Sequence, residues 1–321
     1  MRVRVVALAF AGLGAFASAA LAEKNDLVLS RLGSLNSAGT DVVPHNQDFR
    51  SLVSELGIAL APKLTSPSDT LGYSGFQFSF ETAWTKISRS DGYWCATEET
   101  PDCGSTKGTS YLPTIGVFAR KGIWLPVPSF EFGAGVVNLY NSSMYNGQIY
   151  GKFALHEGFH DWPIPSVAVR GAASRLFGSE QLDLTIASLD VSVSKEFGVQ
   201  GTVNLAPYAG WNYLWIVPRS EVIDKTPNVD AVMDNNDFHN NFVFPDQDNI
   251  TRQRLFGGVK VKYFVFALTF EANFALAGSS VDDRGGTNVP CDNQGDDEGQ
   301  CDAKDQASAQ QTYAFSLSLD F

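Results

Sequence analysis

Apolar residues recur at every second position over many stretches of this chain, and the connections between those stretches are long at one end and short at the other. An export leader precedes them. Together these features predict an all-β fold, a transmembrane antiparallel up-and-down β-barrel of about ten strands. A short amino-terminal helix or plug segment is expected with it; if that segment forms strands instead, the count is twelve.

Residues 1–22 read as a cleaved signal peptide. Arg2 and Arg4 make a basic start, Val5 to Ala20 is apolar, and Ala20-Leu21-Ala22 is a small-x-small site before Glu23. Residues 23–71 form the amino-terminal segment, expected as a plug or a periplasmic piece. Within it Phe49, Leu52, Val53, Leu56 and Leu60 have helical spacing, with Asp48 placed to cap the start and Gly57 the end. This predicts a short amphipathic helix, tucked in the lumen or lying at the periplasmic mouth. The alternative is two strands, Leu27 to Leu35 and Phe49 to Ala61.

Residues 72–321 carry the barrel. Phe76, Phe78, Phe80, Thr82 and Trp84 face one way and Gln77, Ser79, Glu81, Ala83 and Thr85 the other. Further strands are expected over Tyr111 to Ala119, Ser129 to Tyr140, Tyr145 to His156, Ser166 to Arg175 and Gln181 to Ser194. The last of these changes phase between Leu182, Leu184, Ile186 and Leu189, Val191, Val193, which suggests a bulge. Thr202 to Val217, Arg252 to Lys262, Phe264 to Ala277 and Gln311 to Phe321 complete the ten. Loops 88–109, 218–249 and 278–310 fall on one side, and Pro-rich or short turns such as Lys121 to Pro128 on the other. A soluble β-sandwich also alternates, but these strands run ten or more residues, and Trp84, Trp211, Tyr213, Trp215 and Tyr313 cluster towards strand ends.

In the final strand Tyr313, Phe315, Leu317, Leu319 and Phe321 occupy alternate positions and the chain stops on an aromatic. This resembles the assembly signal of Gram-negative outer-membrane β-barrel proteins. The resemblance implies an outer-membrane location, with surrounding lipid and the barrel-assembly machinery as partners.

The formal net charge of −12 argues against nucleic acid as a partner. The four cysteines fall as Cys95/Cys103 and Cys291/Cys301, whose local closure is the simplest of three pairings in an oxidising compartment. Neither pair has zinc-site spacing, and no metal or other cofactor is expected. His156-Glu157-Gly158-Phe159-His160 matches H-E-x-x-H, and Glu180 follows. In the thermolysin-like zinc proteases that this resembles, His156, His160 and Glu180 would be ligands and Glu157 the base. Gly158 and Pro163 work against the helix that the motif needs, so a polar turn is the expected reading. Only His45 and His239 remain as bases, in expected loops, so no enzyme is expected. Asp292 to Asp302, and Asp230, Asp234, Asp237, Asp246 and Asp248, are rich in oxygen ligands but lack EF-hand spacing; acidic mouths would bias a pore towards cations.

By phase, Glu81, Glu131, Lys152, Arg170, Asp183, Asp190, Arg254, Lys260, Lys262 and Glu271 point into the lumen. Opposite charges there either pair and block a narrow bore or line a wet one. The leading functional expectation is a porin-like channel for small solutes; against it stands a closed structural or surface-interaction barrel without transport, with an outer-membrane hydrolase as a minor alternative.

Overall fold

The computed structural model describes residues 23–36, 41–100, 103, 108–124, 129–158, 164–199, 202–225, 241–247, 249–282 and 303–321. Ten antiparallel strands close into a barrel: β3 (Phe76–Lys86), β4 (Tyr111–Ile123), β5 (Phe130–Leu139), β6 (Tyr145–His156), β7 (Ser166–Phe177), β8 (Leu182–Ser194), β10 (Val203–Ser220), β13 (Ile250–Tyr263), β14 (Phe266–Ala275) and β15 (Gln310–Asp320). Each pairs with its neighbour in sequence, and β15 pairs with β3 to close the ring. Minor strands precede or interrupt them: β1 (Gly33–Leu35) with β2 (Val42–Pro44), β9 (Phe197–Val199) on the start of β10, and β11 (Ile223–Asp224) with β12 (Asn241–Phe242).

Alternation sorts the side chains as the period of two requires. On β3, Phe78 and Phe80 are 47 % and 45 % exposed, while Ser79 between them is fully buried. Phe315 and Leu317 of β15 face outward with them, and Ser316 and Ser318 inward. The exterior is therefore apolar and the interior polar, the arrangement of a barrel bathed in lipid rather than of a sandwich. No helix among the described residues is long and apolar enough to cross a membrane.

The expected bulge in β8 is absent. Its pairing with β7 and β10 is continuous, and burial alternates from Leu182 to Ser194 without a slip. What changes is the surroundings: Leu182, Leu184 and Ile186 point inward against an apolar plug, whereas Leu189, Val191 and Val193 point outward. Asp183 consequently faces away from the lumen, where it meets Arg175 at 2.7 Å, and the expectation that it lines the bore is corrected. The expected turn at Lys121 also begins late, because β4 continues to Ile123 and carries Arg120 inward. The one register shift among the described barrel strands lies between Ala154 and His156, at the end of β6.

The plug is α1 (Asn46–Leu60), continued by residues 61–71. α1 lies inside the barrel, with Phe49, Leu52, Val53, Leu56 and Leu60 in the apolar core, so the helical spacing is realised and the two-strand alternative is not. Its ends differ from the expectation. His45 precedes the first turn with Asp48 inside it, and Gly57 sits within the helix. A Cβ on Gly57 would lie 2.5 Å from Ile216 Cδ1, so glycine here serves close approach to the barrel wall rather than termination. The helix stops instead at Ala61, before Pro62.

The segment crosses the bore from one end to the other. Residues 23–31 lie at the long-loop end: the Asn25 N–H donates to the Asn141 carbonyl, Leu29 N–H to Gln181 Oε1, and Arg31 to the carbonyls of Cys95 and Thr97. By residue 71 the chain has reached the short-turn end, where Phe76 pairs with Phe321. The amino-terminal segment thus starts at the end opposite the short-turn mouth.

Candidate functional site

The interior of the barrel is the polar centre of the molecule, and it can be built from the short-turn end upward. Lys260 approaches Asp320 at 2.7 Å and Lys262 approaches it at 3.6 Å, while Gln77 donates to the same carboxylate at 2.5 Å. One layer in, Lys152 and Glu131 pair at 3.2 Å, and the Tyr150 hydroxyl donates to Glu131 at 2.7 Å. Next, Arg120 pairs with Glu81 at 2.5 Å and donates to Gln77 at 2.6 Å. Glu271 accepts from the Tyr208 hydroxyl at 2.8 Å and from Asn273 at 2.9 Å. Above these, Arg170 and Asp190 pair at 2.6 Å, with Asn212 donating to Asp190. All of these groups except Lys262 are buried, and charges buried this deeply are tolerable only because they are paired and hydrogen-bonded.

The segment after α1 is threaded through these layers and bonded to those of Glu131 and Lys152, Arg120 and Glu81, Glu271, and Arg170 and Asp190. Arg254 donates to the Pro62 carbonyl, Arg170 to the Lys63 carbonyl at 2.7 Å, and Arg120 to Thr65 Oγ1 at 2.8 Å. The Thr65 N–H donates to Glu271 at 2.7 Å. Lys152 donates to the carbonyls of Pro67 and Asp69, Ser68 Oγ to Ser192 Oγ, and the Leu71 N–H to Glu131. Lys63 turns back to the carbonyls of Ala59 and Ala61, where the negative end of the α1 dipole favours a cation. The short-turn end retains a polar cavity of about 150 Å³, bounded by this segment and by Lys152, Lys260, Lys262, Glu131 and Asp320.

At the long-loop end the seal is made by α1. Glu55 is fully buried and accepts from the Trp94 indole at 2.7 Å, the Tyr93 hydroxyl at 3.0 Å, and the N–H groups of Ser88 at 3.0 Å and Ser308 at 3.3 Å. One carboxylate thereby ties the helix to two of the three long loops. Arg252 donates to Ser54 at 2.8 Å, Ser54 to Asp305 at 2.6 Å, and Phe49 stacks on Phe244 with centroids 4.1 Å apart.

Nine of the ten expected lumen residues are thus brought into the bore, and Asp183 is not. The expected lumen set left out Arg120, Arg252, Asp320 and the plug's own Glu55 and Lys63. Arg120 lies just past the expected end of its strand and Arg252 at the expected start of its own, beside a long loop, whereas alternation does put Asp320, between outward Leu319 and Phe321, on the inward face with Ser316 and Ser318. The disulfide Cys95–Cys103 is formed; Cys291 and Cys301 lie outside the described residues. So do His160, His239, Asp230, Asp234, Asp237, Asp248 and Asp292 to Asp302. Within the H-E-x-x-H stretch, His156 ends a strand, and Glu157 accepts from the Thr70 N–H and hydroxyl and from Ser129 Oγ at the short-turn end. Glu180 sits across the barrel's length, in the β7–β8 turn, so the protease ligand set is not assembled by Glu180. Among the described residues no group of three or more His, Cys, Asp or Glu side chains is placed to hold a metal.

No protein-family model and no curated protein sequence matches the chain. Among solved structures it is similar to Ail, the attachment invasion locus protein of Yersinia pestis, at 10% identity, covering 78% of this chain and 99% of that one with a TM-score of 0.27. It is also similar to Neisserial surface protein A, at 10% identity over 77% and 97% of the two chains with a TM-score of 0.26. LpxR from Salmonella typhimurium matches at 10% identity over 74% and 99%, with a TM-score of 0.28.

Proposed function

We propose that this protein is a barrel of the Gram-negative outer membrane, closed by its own amino-terminal segment, which works through the surface its long loops form rather than as an open pore. The observation that carries this reading is the continuous path of residues 46–71 along the bore, hydrogen-bonded to Glu131 and Lys152, Arg120, Glu271 and Arg170 in successive layers of charged residues. Export by the leader, delivery to the barrel-assembly machinery and a lipid-bathed exterior all belong to the same reading. Beyond the short-turn cavity, ion pairs buried against the threaded segment leave a solute no wide, water-filled track. On this reading the protein is not an enzyme, since the carboxylates and bases of the interior are spent on holding the plug.

Purified protein added to a planar bilayer is expected to give no unitary current at moderate voltage. Regular single-channel steps would instead establish the porin-like alternative, with the 150 Å³ cavity at the short-turn end as its vestibule. Swelling of protein-loaded liposomes in small sugars gives an independent readout, and none is expected.

A further inference from the structure

The long loop between β3 and β4 closes a small ring against the amino-terminal segment. Cys95 and Cys103, eight positions apart, are bonded to each other. Within the ring, residues 96–99 run antiparallel to residues 24–28, with Leu27 and Thr97 bridged. The Val28 N–H donates to the Ala96 carbonyl at 3.0 Å, Glu98 N–H to Asp26 at 3.0 Å, and Glu99 N–H to Lys24 at 2.8 Å. Arg31 is the residue the ring grips. Its Nη1 donates to the carbonyls of Cys95, Thr97 and Thr100 at 3.1, 2.6 and 2.5 Å, and its Nη2 lies 3.5 Å from Glu98.

Three carbonyl oxygens aimed at one nitrogen repel one another unless something holds them. Here the Thr97 and Thr100 hydroxyls both donate to the Trp94 carbonyl, which curls the chain, and the disulfide closes the curl. A cross-link of this kind removes much of the entropy that would otherwise open so short a segment. The two sulfurs are placed differently. Cys95 is 4% exposed and belongs to the apolar core, whereas Cys103 is exposed. A reagent arriving from the long-loop side meets Cys103 first.

We propose that Cys95–Cys103 is a thiol-exchange site that latches the amino-terminal segment to the barrel rim. A thiolate of a dithiol attacks Cys103 Sγ, the S–S bond breaks, and Cys95 leaves as a thiolate that takes up a proton. The second thiol of the reagent then displaces Cys103 as a thiol and closes the reagent's own disulfide, so two electrons and two protons pass to the protein. The opened ring lets its carbonyls part and frees Arg31. Residues 23–31 loosen, while Tyr93 and Trp94, which precede the ring, keep Glu55 and α1 in place. This rests on the reading above in one respect, that the long-loop end faces the outside.

The test is tryptic cleavage after Arg31 in folded Cys291→Ser, Cys301→Ser protein, where Cys95–Cys103 is the one disulfide left. Dithiothreitol is expected to speed that cleavage about tenfold or more, the scale of one hydrogen bond to a charged group. Unboiled gel mobility should not change. The further variant Cys95→Ser with Cys103→Ser should be cut at the fast rate without reductant; because reduction follows folding, the test stands even where that variant fails to assemble. Cleavage unchanged after complete reduction overturns the proposal alone. On intact cells, trypsin and dithiothreitol are expected to give the same acceleration. Acceleration in purified protein but none on cells overturns the outward placement of the long loops and leaves the latch standing.

Discussion

Asp26 holds the amino-terminal segment to the barrel rim. Its carboxylate accepts from the Ser142 and Ser143 hydroxyls and the N–H groups of Glu23 and Ser143. Burial alone would raise its pKa, but these hydrogen bonds outweigh it and leave the value below that of an ordinary aspartate. A carboxyl depressed in the folded state stabilises fully above its unfolded pKa, about 3.9, and loses that contribution as pH falls through the lower folded value. Proteolytic cleavage within residues 23–36 is therefore expected to accelerate in acid for wild type, and to be faster already at neutral pH for Asp26→Asn. Glu55 is the more costly residue to change. Glu55→Ala would leave the Trp94 indole, the Tyr93 hydroxyl and two backbone N–H groups without their acceptor, at a cost of about 3 kcal/mol or more. The checks are the denaturant midpoint and the emission of Trp94. Neither role was legible from residue type: Glu55 lies on the polar side of an amphipathic pattern, where a solvated carboxylate is the ordinary reading, and only enclosure by the barrel reverses it.

The elements were more legible than the contacts between them. Alternation reports which residues share a face, so the strands emerged with ends shifted by only a few residues. It does not report what each face meets, and β8 shows the consequence. Apolar residues on its inner face near the plug and on its outer face further along look like a slipped register, when the strand is continuous and its surroundings change. Gly57 is the same lesson in α1, where a residue that ordinarily stops a helix marks contact with Ile216. Gly57→Leu is expected to destabilise by about 1–3 kcal/mol through overpacking. In the Ile216→Ala background the added penalty of a leucine should shrink, a coupling that a double-mutant cycle measures by denaturant unfolding. Among the pairs lining the bore, removing one partner costs more than removing both. Asp190→Ala leaves Arg170 buried without its carboxylate, at about 3–5 kcal/mol, and Arg170→Met together with Asp190→Leu should recover much of that loss.

For the whole molecule, closure of ten strands around a threaded segment joins barrel stability to plug stability. Unboiled protein should migrate differently from boiled protein on a gel, and variants that loosen the plug, such as Glu55→Ala, should lower the temperature of that conversion. The polarity of the thread adds a topological expectation: a short epitope placed before Glu23 should be reached by antibody from the same side as an epitope in a long loop. The threading has a further consequence, for the order of events in biogenesis. A helix with its side chains is about 10–12 Å across, and paired charged side chains fill the bore between α1 and the short-turn end. Residues 46–71 are therefore expected to be laid against the growing sheet before β3 meets β15, and the seam to shut over them. A small epitope ahead of Glu23 can travel with the thread, whereas a stably folded fusion at that point should stall the seam half-shut. The last pairing made, between Phe76 and Phe321, would then serve as the checkpoint at which a chain with an unfilled interior is told apart from a finished one.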